Sequence, residues 1–196
     1  MSLNGPRLGK PREIAIEAFG ERFLFTARSF FQGNRVLIDK LVETAIGDAR
    51  GGLALDLYCG VGLFTLPLAR RFEKLVGVEE NSEAVDFAIN NAANAGLANA
   101  EFRAAQVRSF LANTIESNLD LALLDPPRFG TEKETIMNLI RLSPKRVSYV
   151  ACEPSVLARD LRRFDDSGYA IESITAIDLF PQTHHIETVV HLGLKS

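Results

Sequence analysis

The sequence is poor in the features that mark several common classes of protein. It contains no tryptophan and only two cysteines, Cys59 and Cys152, which do not form a Cys-x-x-Cys pair. This argues against a disulfide framework and against a zinc site, so we expect no metal centre. No apolar run approaches the roughly 18 residues of a membrane span, and no signal peptide opens the chain. We therefore expect a protein of the reducing cytoplasm without a membrane partner.

The sequence also lacks an excess of positive charge. It has 22 Lys and Arg residues against 25 Asp and Glu residues, for a net charge of −3. A nucleic-acid partner would therefore be bound by local basic patches and not by the whole surface. With 196 residues, of which 46% are hydrophobic, the chain is long enough for one domain with a sizeable core. We expect a monomer.

The order of the apolar segments predicts the fold class. From Gly51 onward, short strand-like segments alternate with helical ones, which indicates a doubly wound α/β sheet. The last two segments, 169–179 and 185–194, have only a tight connection, so the final strand must run antiparallel to the rest. Seven strands with the last one antiparallel are typical of class I methyltransferases. Residues 1–30 hold a predicted β-hairpin, the remnant of an upstream region, and residues 31–196 form the predicted domain.

A glycine turn after the first strand of this domain predicts a cofactor site. The strand Leu53–Leu57 contains Asp56 and is followed by Gly60 and Gly62, which let the backbone turn tightly and approach a ligand. The next strand ends at Glu79, where an acidic side chain would meet ribose hydroxyls. We interpret this pattern as a site for an adenosyl cofactor.

Further polar residues gather at the same edge of the predicted sheet, where open α/β sheets bind their ligands. The carboxyl ends of the strands carry Asp56, Glu79, Asp125 and Cys152, and the reversed final strand begins at this edge with Glu187. Each also has a structural interpretation. The thiol would then be a small buried apolar group, Glu187 a solvated strand residue and Asp125 a cap.

A predicted helix begins directly after Cys152. A proline occupies its first turn, and the positive end of a helix dipole favours a thiolate. Arg159 and Arg162 would lie on later turns, where they either contact substrate phosphates or form a solvated face. Gln32 has two interpretations as well, since it either caps the predicted helix 35–46 or points into the cofactor cleft.

Five motifs give more specific evidence about the function. They are Phe31-Gln32-Gly33-Asn34, Asp56-Leu57-Tyr58-Cys59-Gly60-Val61-Gly62, Asp125-Pro126-Pro127-Arg128-Phe129-Gly130, Cys152-Glu153-Pro154 and Phe180-Pro181-Gln182-Thr183-His184-His185-Ile186-Glu187. In this order and spacing, over roughly residues 25–194, they resemble the S-adenosylmethionine-dependent RNA uracil-C5 methyltransferases. Members of that family act on tRNA and ribosomal RNA.

The resemblance implies S-adenosylmethionine as the cofactor and structured RNA as the partner. It implies Cys152 as the nucleophile and Glu187 as the general base. The RNA contacts expected at the substrate side are Arg128, Arg159 and Arg162. The expected cofactor contacts are Gln32, Asp56, Tyr58, Gly60, Gly62, Glu79 and Asp125. Family members also carry an upstream RNA-binding module, which we expect in the full-length protein.

The sequence departs from the family pattern at two positions. Glu153 stands where members usually have Asn, and Leu63 stands where a polar residue is frequent. A carboxylate at position 153 is expected to raise the pKa of the neighbouring thiol. It is also the best support for an alternative, a non-catalytic module that binds RNA or the cofactor.

Two enzymatic alternatives remain open. One is a cytosine-C5 or base-nitrogen methyltransferase, although Asp-Pro-Pro is followed here by Arg128 and not by the Tyr or Phe that suits amine methylation. The other is a dinucleotide dehydrogenase, which would prefer glycine at the position of Thr65.

Uracil methylation requires a thiol and a carboxylate in sequence. Carbon 5 of uracil is a poor nucleophile, and addition of a thiolate at carbon 6 activates it. A carboxylate must then remove the carbon-5 proton so that the thiol is expelled. A base within a helix or loop must also be flipped out to reach such a site.

Overall fold

Two sheets make up the fold, a seven-stranded sheet with helices on both faces and a separate β-hairpin. The computed structural model describes residues 12–115 and 118–195. The strands are β1 Glu13–Ala18, β2 Glu21–Thr26, β3 Gly51–Leu57, β4 Phe72–Glu79, β5 Ala100–Ala104, β6 Leu121–Leu124, β7 Arg146–Ala151, β8 Tyr169–Ile177 and β9 Glu187–Leu194. The helices are α1 Ile38–Ile46, α2 Thr65–Ala69, α3 Ser82–Asn94, α4 Val107–Asn113, α5 Lys133–Arg141 and α6 Pro154–Asp165.

The large sheet has the strand order β5-β4-β3-β6-β7-β9-β8. Strand β9 runs antiparallel to both β7 and β8, while the other pairs are parallel, so the prediction of a reversed final strand is confirmed. The register pairs Ala151 with Thr188. Because Cys152 follows the first of these residues and Glu187 precedes the second, both lie at the same edge of the sheet.

Alternating side chains on the strands build a core on each face of the sheet. In β3, Ala54 packs with residues of α1 and α2, whereas Leu55 and Leu57 pack with residues of α4, α5 and α6. This is the arrangement expected of strands covered on both faces. No helix within residues 12–115 and 118–195 is long and apolar enough to cross a membrane.

The predicted hairpin is present and docks on helix α3. Phe23 is fully buried, and the buried side chain of Asn91 accepts a hydrogen bond from Leu24 N at 2.8 Å. The Asn91 amide also donates to Leu24 O and Val61 O, both at 3.1 Å, which joins the hairpin to the glycine turn. Arg70 forms an ion pair with the buried Glu21. The part of the predicted 1–30 segment before residue 12 lies outside the described residues, and its upstream origin stays a prediction.

Helix α1 begins later than the predicted residue 35. The side-chain oxygen of Asn34 accepts hydrogen bonds from the backbone N–H groups of Val36 and Leu37 at 3.1 and 3.2 Å. These bonds hold a turn ahead of the helix, so regular structure starts at Ile38. Asn34 thus makes the local hydrogen bonds that were one interpretation of Gln32.

Candidate active site

A cavity of about 640 Å³ opens at the carboxyl edge of the sheet. Loops that follow β3, β4, β6 and β7 line it, together with the start of β9. The predicted site residues that line it are Gln32, Tyr58, Gly60, Glu79, Asp125, Arg128, Cys152 and Glu187. Four other predicted residues are not among its lining residues, namely Asp56, Gly62, Arg159 and Arg162. The structure therefore gathers most of the predicted site in one place.

Glu79 joins the end of β4 to the glycine turn. One carboxylate oxygen accepts a hydrogen bond from Gly60 N at 3.2 Å, and the other accepts from Asn81 N at 2.9 Å. Gly60 has a φ of +53° and Tyr58 one of +66°, so the chain turns sharply here. Gly60, Tyr58 and Glu79 all line the cavity. Together they form a cradle of backbone and carboxylate groups that is suited to a polar ligand.

Asp56 and Gly62 lie beneath this cradle. The fully buried Asp56 carboxyl accepts a hydrogen bond from Thr65 Oγ1 at 2.5 Å, and its Oδ1 has no hydrogen-bond partner among the described residues. Burial raises the pKa of Asp56 to about 7. Gly62 has a φ of +98°, and a Cβ there would lie 2.9 Å from Leu66 Cδ1. Both residues thus shape the turn from below.

Cys152 and Glu187 form the other end of the cavity. Burial raises the pKa of Glu187 to about 7. Burial, and after it the charge of Glu187, raises the pKa of the half-buried Cys152 thiol, while Arg128 opposes the change. The predicted effect of the helix N-terminus, which favours the thiolate, is opposed here by desolvation and by the nearby carboxyl of Glu187.

Glu153 has a hydrogen-bond partner of its own and is not among the main influences on the Cys152 pKa. Its carboxylate accepts a hydrogen bond from Ser155 Oγ at 2.8 Å, which lowers the pKa of Glu153. The carboxyl groups that raise the Cys152 pKa are those of Glu187 and Asp125. The departure from the family pattern at position 153 is therefore not the main cause of the raised Cys152 pKa.

Asp125 also lines the cavity. Burial, then the charges of Glu187 and Asp56, raises its pKa well above the ordinary value. Its backbone N donates to Leu57 O at 3.3 Å, which continues the pairing of β6 with β3. The Asp125 carboxyl thus interacts with those of Glu187 and Asp56, and the pKa of each of the three lies above its ordinary value.

The two cysteines occupy different environments. Cys59 is buried, and burial followed by the charges of Asp56 and Glu79 raises its pKa well above the ordinary value. The structural interpretation of a cysteine after an apolar strand therefore fits Cys59. Cys152 is only partly covered and lines the cavity, which makes it the accessible thiol.

A buried hydrogen-bond network that the sequence did not reveal supports the site. The Tyr58 hydroxyl bonds to Thr131 Oγ1 at 2.5 Å, and Thr131 N donates to the fully buried Asp160 at 3.3 Å. Arg159, predicted to contact substrate, donates from Nε to Asp160 at 2.9 Å. The one available signal was the position of Asp160 three residues after Leu157, on the apolar side of α6.

Arg128 is the one predicted substrate-contacting arginine that lines the cavity, among the described residues. Arg162 is exposed in the last turn of α6. Several lining residues were missed. Phe129 and Phe180 lie inside two of the five motifs, whereas the others lie outside them. The missed set includes Phe30, Gln106, Phe129, Glu132, Thr135 and Phe180. Within the described ranges no group of three or more His, Cys, Asp or Glu residues has the arrangement of a metal site.

Comparisons with known proteins show which family the chain belongs to. An uncharacterized RNA methyltransferase of Oceanobacillus iheyensis is 38% identical over 88% of the chain, and one of Caldanaerobacter subterraneus is 39% identical over 88%. The chain spans 39% of the length of each of these relatives.

A solved structure and a match to a protein family give the same result. The tRNA (uracil-54, C5)-methyltransferase of Pyrococcus abyssi, solved with S-adenosyl-L-homocysteine, has a TM-score of 0.82 and 33% identity. That match covers 94% of this chain and 45% of the archaeal one. Residues 13–195 match the family described as tRNA (uracil-5-)-methyltransferase. The chain therefore belongs to the tRNA (uracil-5-)-methyltransferase family.

Proposed function

We propose that the protein transfers a methyl group from S-adenosylmethionine to carbon 5 of a uridine in tRNA or ribosomal RNA, through a covalent bond between Cys152 and carbon 6. One observation carries the proposal. The accessible thiol of Cys152 and the buried carboxyl of Glu187 share a cavity with the Gly60–Glu79 cradle. A nucleophile, a base and a cofactor cradle thus face the same space.

The residues at the cradle end fit the cofactor. Glu79 accepts from Gly60 N and still lines the cavity, so its carboxylate is in place for ribose hydroxyls. Gln32, Tyr58 and Asp125 complete this end, and Asp56 and Gly62 support it from below. When bound, S-adenosylmethionine supplies an electrophilic methyl group.

Cys152 acts first on the RNA. Its thiol gives its proton to solvent water, the sulfur bonds to carbon 6 of uracil, and the electrons of the 5,6 double bond move to give an enolate. Carbon 5 thereby becomes nucleophilic. Arg128, whose charge favours ionisation of this thiol, stabilises the attacking form.

Glu187 acts after the methyl group has reached carbon 5. Its carboxylate takes the carbon-5 proton, the electrons of that C–H bond restore the 5,6 double bond, and the C–S bond breaks to release the thiolate. A pKa of about 7 suits a group that must accept this proton near neutral pH.

The direct test measures methyl incorporation. Purified protein, S-adenosylmethionine labelled in the methyl group, and total tRNA and ribosomal RNA from cells lacking 5-methyluridine should yield labelled 5-methyluridine. Cys152→Ala should abolish the product. Label in 5-methylcytosine or in an N-methylated base would favour the alternative base methyltransferases, and the absence of any label would favour a non-catalytic module.

A further inference from the structure

The turn Pro127–Gly130 presents two exposed side chains at the cavity. Gly130 N donates to Pro127 O at 2.7 Å and closes the turn, so Arg128 and Phe129 stand at its tip. Both line the cavity, and the Phe129 ring remains 74% exposed. Exposure of one large apolar side chain is ordinary on a protein surface. Here, however, the exposed ring lies next to a guanidinium, and both line the cavity.

The turn is held from beneath by helix α6. Gly130 has a φ of +77°, and a Cβ there would lie 2.3 Å from Val156 Cγ1 and 2.9 Å from Asp160 Oδ2. Thr131 N donates to Asp160 at 3.3 Å, and Arg159 donates to Thr131 O at 3.3 Å. The backbone therefore sits directly on the helix, with no room for another residue at Gly130.

Asp160 is itself fixed on several sides. Its fully buried carboxylate accepts from the Tyr149 hydroxyl at 2.9 Å and from Arg163 Nη1 at 2.6 Å. A buried carboxylate with this many charge-assisted bonds forms a rigid support. The outward position of Phe129 is thus set by the packing below the turn.

The tip of the turn lies at the thiol end of the cavity. Arg128 and Cys152 both line the cavity, and the charge of Arg128 acts on the Cys152 thiol. A base flipped towards Cys152 would bring its neighbouring nucleotides across this tip. An aromatic ring next to a guanidinium is the pair of groups that proteins use for single-stranded RNA, one for a base and one for a phosphate.

We propose that Phe129 is a stacking platform for an RNA base that flanks the target uridine, with Arg128 beside it on the phosphate backbone. The inference rests on the proposed function and specifies how the substrate is held. Because the chain carries a net charge of −3, its surface as a whole does not attract RNA, and a local element such as this pair is needed to bind it. Phe129 is accordingly a substrate-positioning contact that takes no part in the bond-making steps.

The test separates an aromatic contact from an apolar one. Phe129→Leu keeps an apolar side chain but loses the flat ring, whereas Phe129→Trp keeps a ring. Met137→Ala, at a half-exposed apolar position of α5 outside the cavity lining, is the matched control. KM for unmodified tRNA, kcat and the salt dependence of RNA binding are measured, and thermal melts verify that each variant is folded.

Phe129→Leu should raise KM on the order of tenfold with kcat changed little, and Phe129→Trp should restore KM to near the wild-type value. Arg128→Ala should lower the slope of log K against log salt by about one, while the Phe129 variants leave that slope unchanged. A methylating wild type whose KM is the same in Phe129→Leu overturns the stacking role alone. A wild type that neither binds nor methylates RNA overturns the proposed function together with this inference.

Discussion

The carboxyl group of Glu187 opposes ionisation of the Cys152 thiol across the shared cavity. After burial, it is the largest influence that raises the pKa of this thiol. The proposed general base and the proposed nucleophile are thus electrostatically coupled, and a negative charge on one disfavours a negative charge on the other.

Removing the Glu187 charge should therefore make Cys152 more reactive. In a Cys59→Ala background, alkylation by iodoacetamide should follow the ionisation of Cys152 alone, with a midpoint above the ordinary thiol pKa of about 8.5. Glu187→Gln should move this midpoint to lower pH and speed alkylation at pH 8. A midpoint that stays in place or moves upward would contradict the coupling.

The buried Asp56 should make stability depend on pH in an unusual direction. Its pKa is about 7 in the folded protein, against about 3.9 in an unfolded chain. Folding is therefore favoured by the protonated carboxyl below pH 4, and this contribution is lost as pH rises through 7.

Asp56→Asn should remove part of that dependence and raise the free energy of unfolding at pH 8 by roughly 1–3 kcal/mol. Urea unfolding at pH 5 and pH 8 measures both quantities. Asp39→Asn, at an exposed position of α1, is the control. A wild type that is more stable at pH 8 than at pH 5, with Asp56→Asn unchanged in slope, would rule out a buried protonated carboxyl.

Glu79 should contribute to cofactor affinity. Glu79→Ala removes the acceptor for Gly60 N and for ribose hydroxyls, and we expect binding of S-adenosylmethionine or S-adenosylhomocysteine to weaken by roughly 1–3 kcal/mol. Calorimetry provides the measurement, and Glu73→Ala, at an exposed position of the same strand, should bind as the wild type does. Preferential binding of a nicotinamide dinucleotide would contradict the assignment of the cradle.

Asp160 should be a main determinant of stability. Asp160→Ala leaves Arg163 and the buried Tyr149 hydroxyl without their acceptor. We therefore expect the free energy of unfolding to fall by about 3 kcal/mol. This is the low end of the range for a broken buried ion pair, because Arg163 partly reaches solvent. The exposed Asp165 on the same helix pairs with Lys195 at 3.1 Å, and Asp165→Ala should cost less than about 1 kcal/mol. If the two variants lose equal free energies of unfolding in urea, the buried network does not stabilise the fold more than the exposed ion pair does.

The large sheet could be predicted from the sequence because each of its strands has a recognisable local pattern. Apolar segments alternate with helices, and the tight connection after β8 leaves β9 only an antiparallel path. The site was predicted for the same reason, since Cys152 and Glu187 flank strand ends whose edge is set by topology.

What could not be predicted depends on packing between distant segments. The contact of Thr131 with Asp160 joins residues 29 positions apart, and the bonds of Asn91 to Leu24 join residues 67 positions apart. The direction of the Cys152 pKa shift depends on how much solvent the fold removes, which a helix N-terminus alone does not reveal. Phe129 was inside a motif, yet only the structure shows that its ring is exposed at the cavity.

Covalent trapping tests the central role of Cys152 most directly. An RNA carrying 5-fluorouridine at the target should form an adduct that survives denaturing electrophoresis, because fluorine cannot leave as a cation and elimination stalls. Cys59→Ala should still trap the RNA, and Glu187→Gln should accumulate a complex even with normal RNA, since only the final proton removal is slowed. We predict that Cys152→Ala gives neither adduct nor methylated product. A Cys152→Ala protein that still methylates uridine would contradict the mechanism.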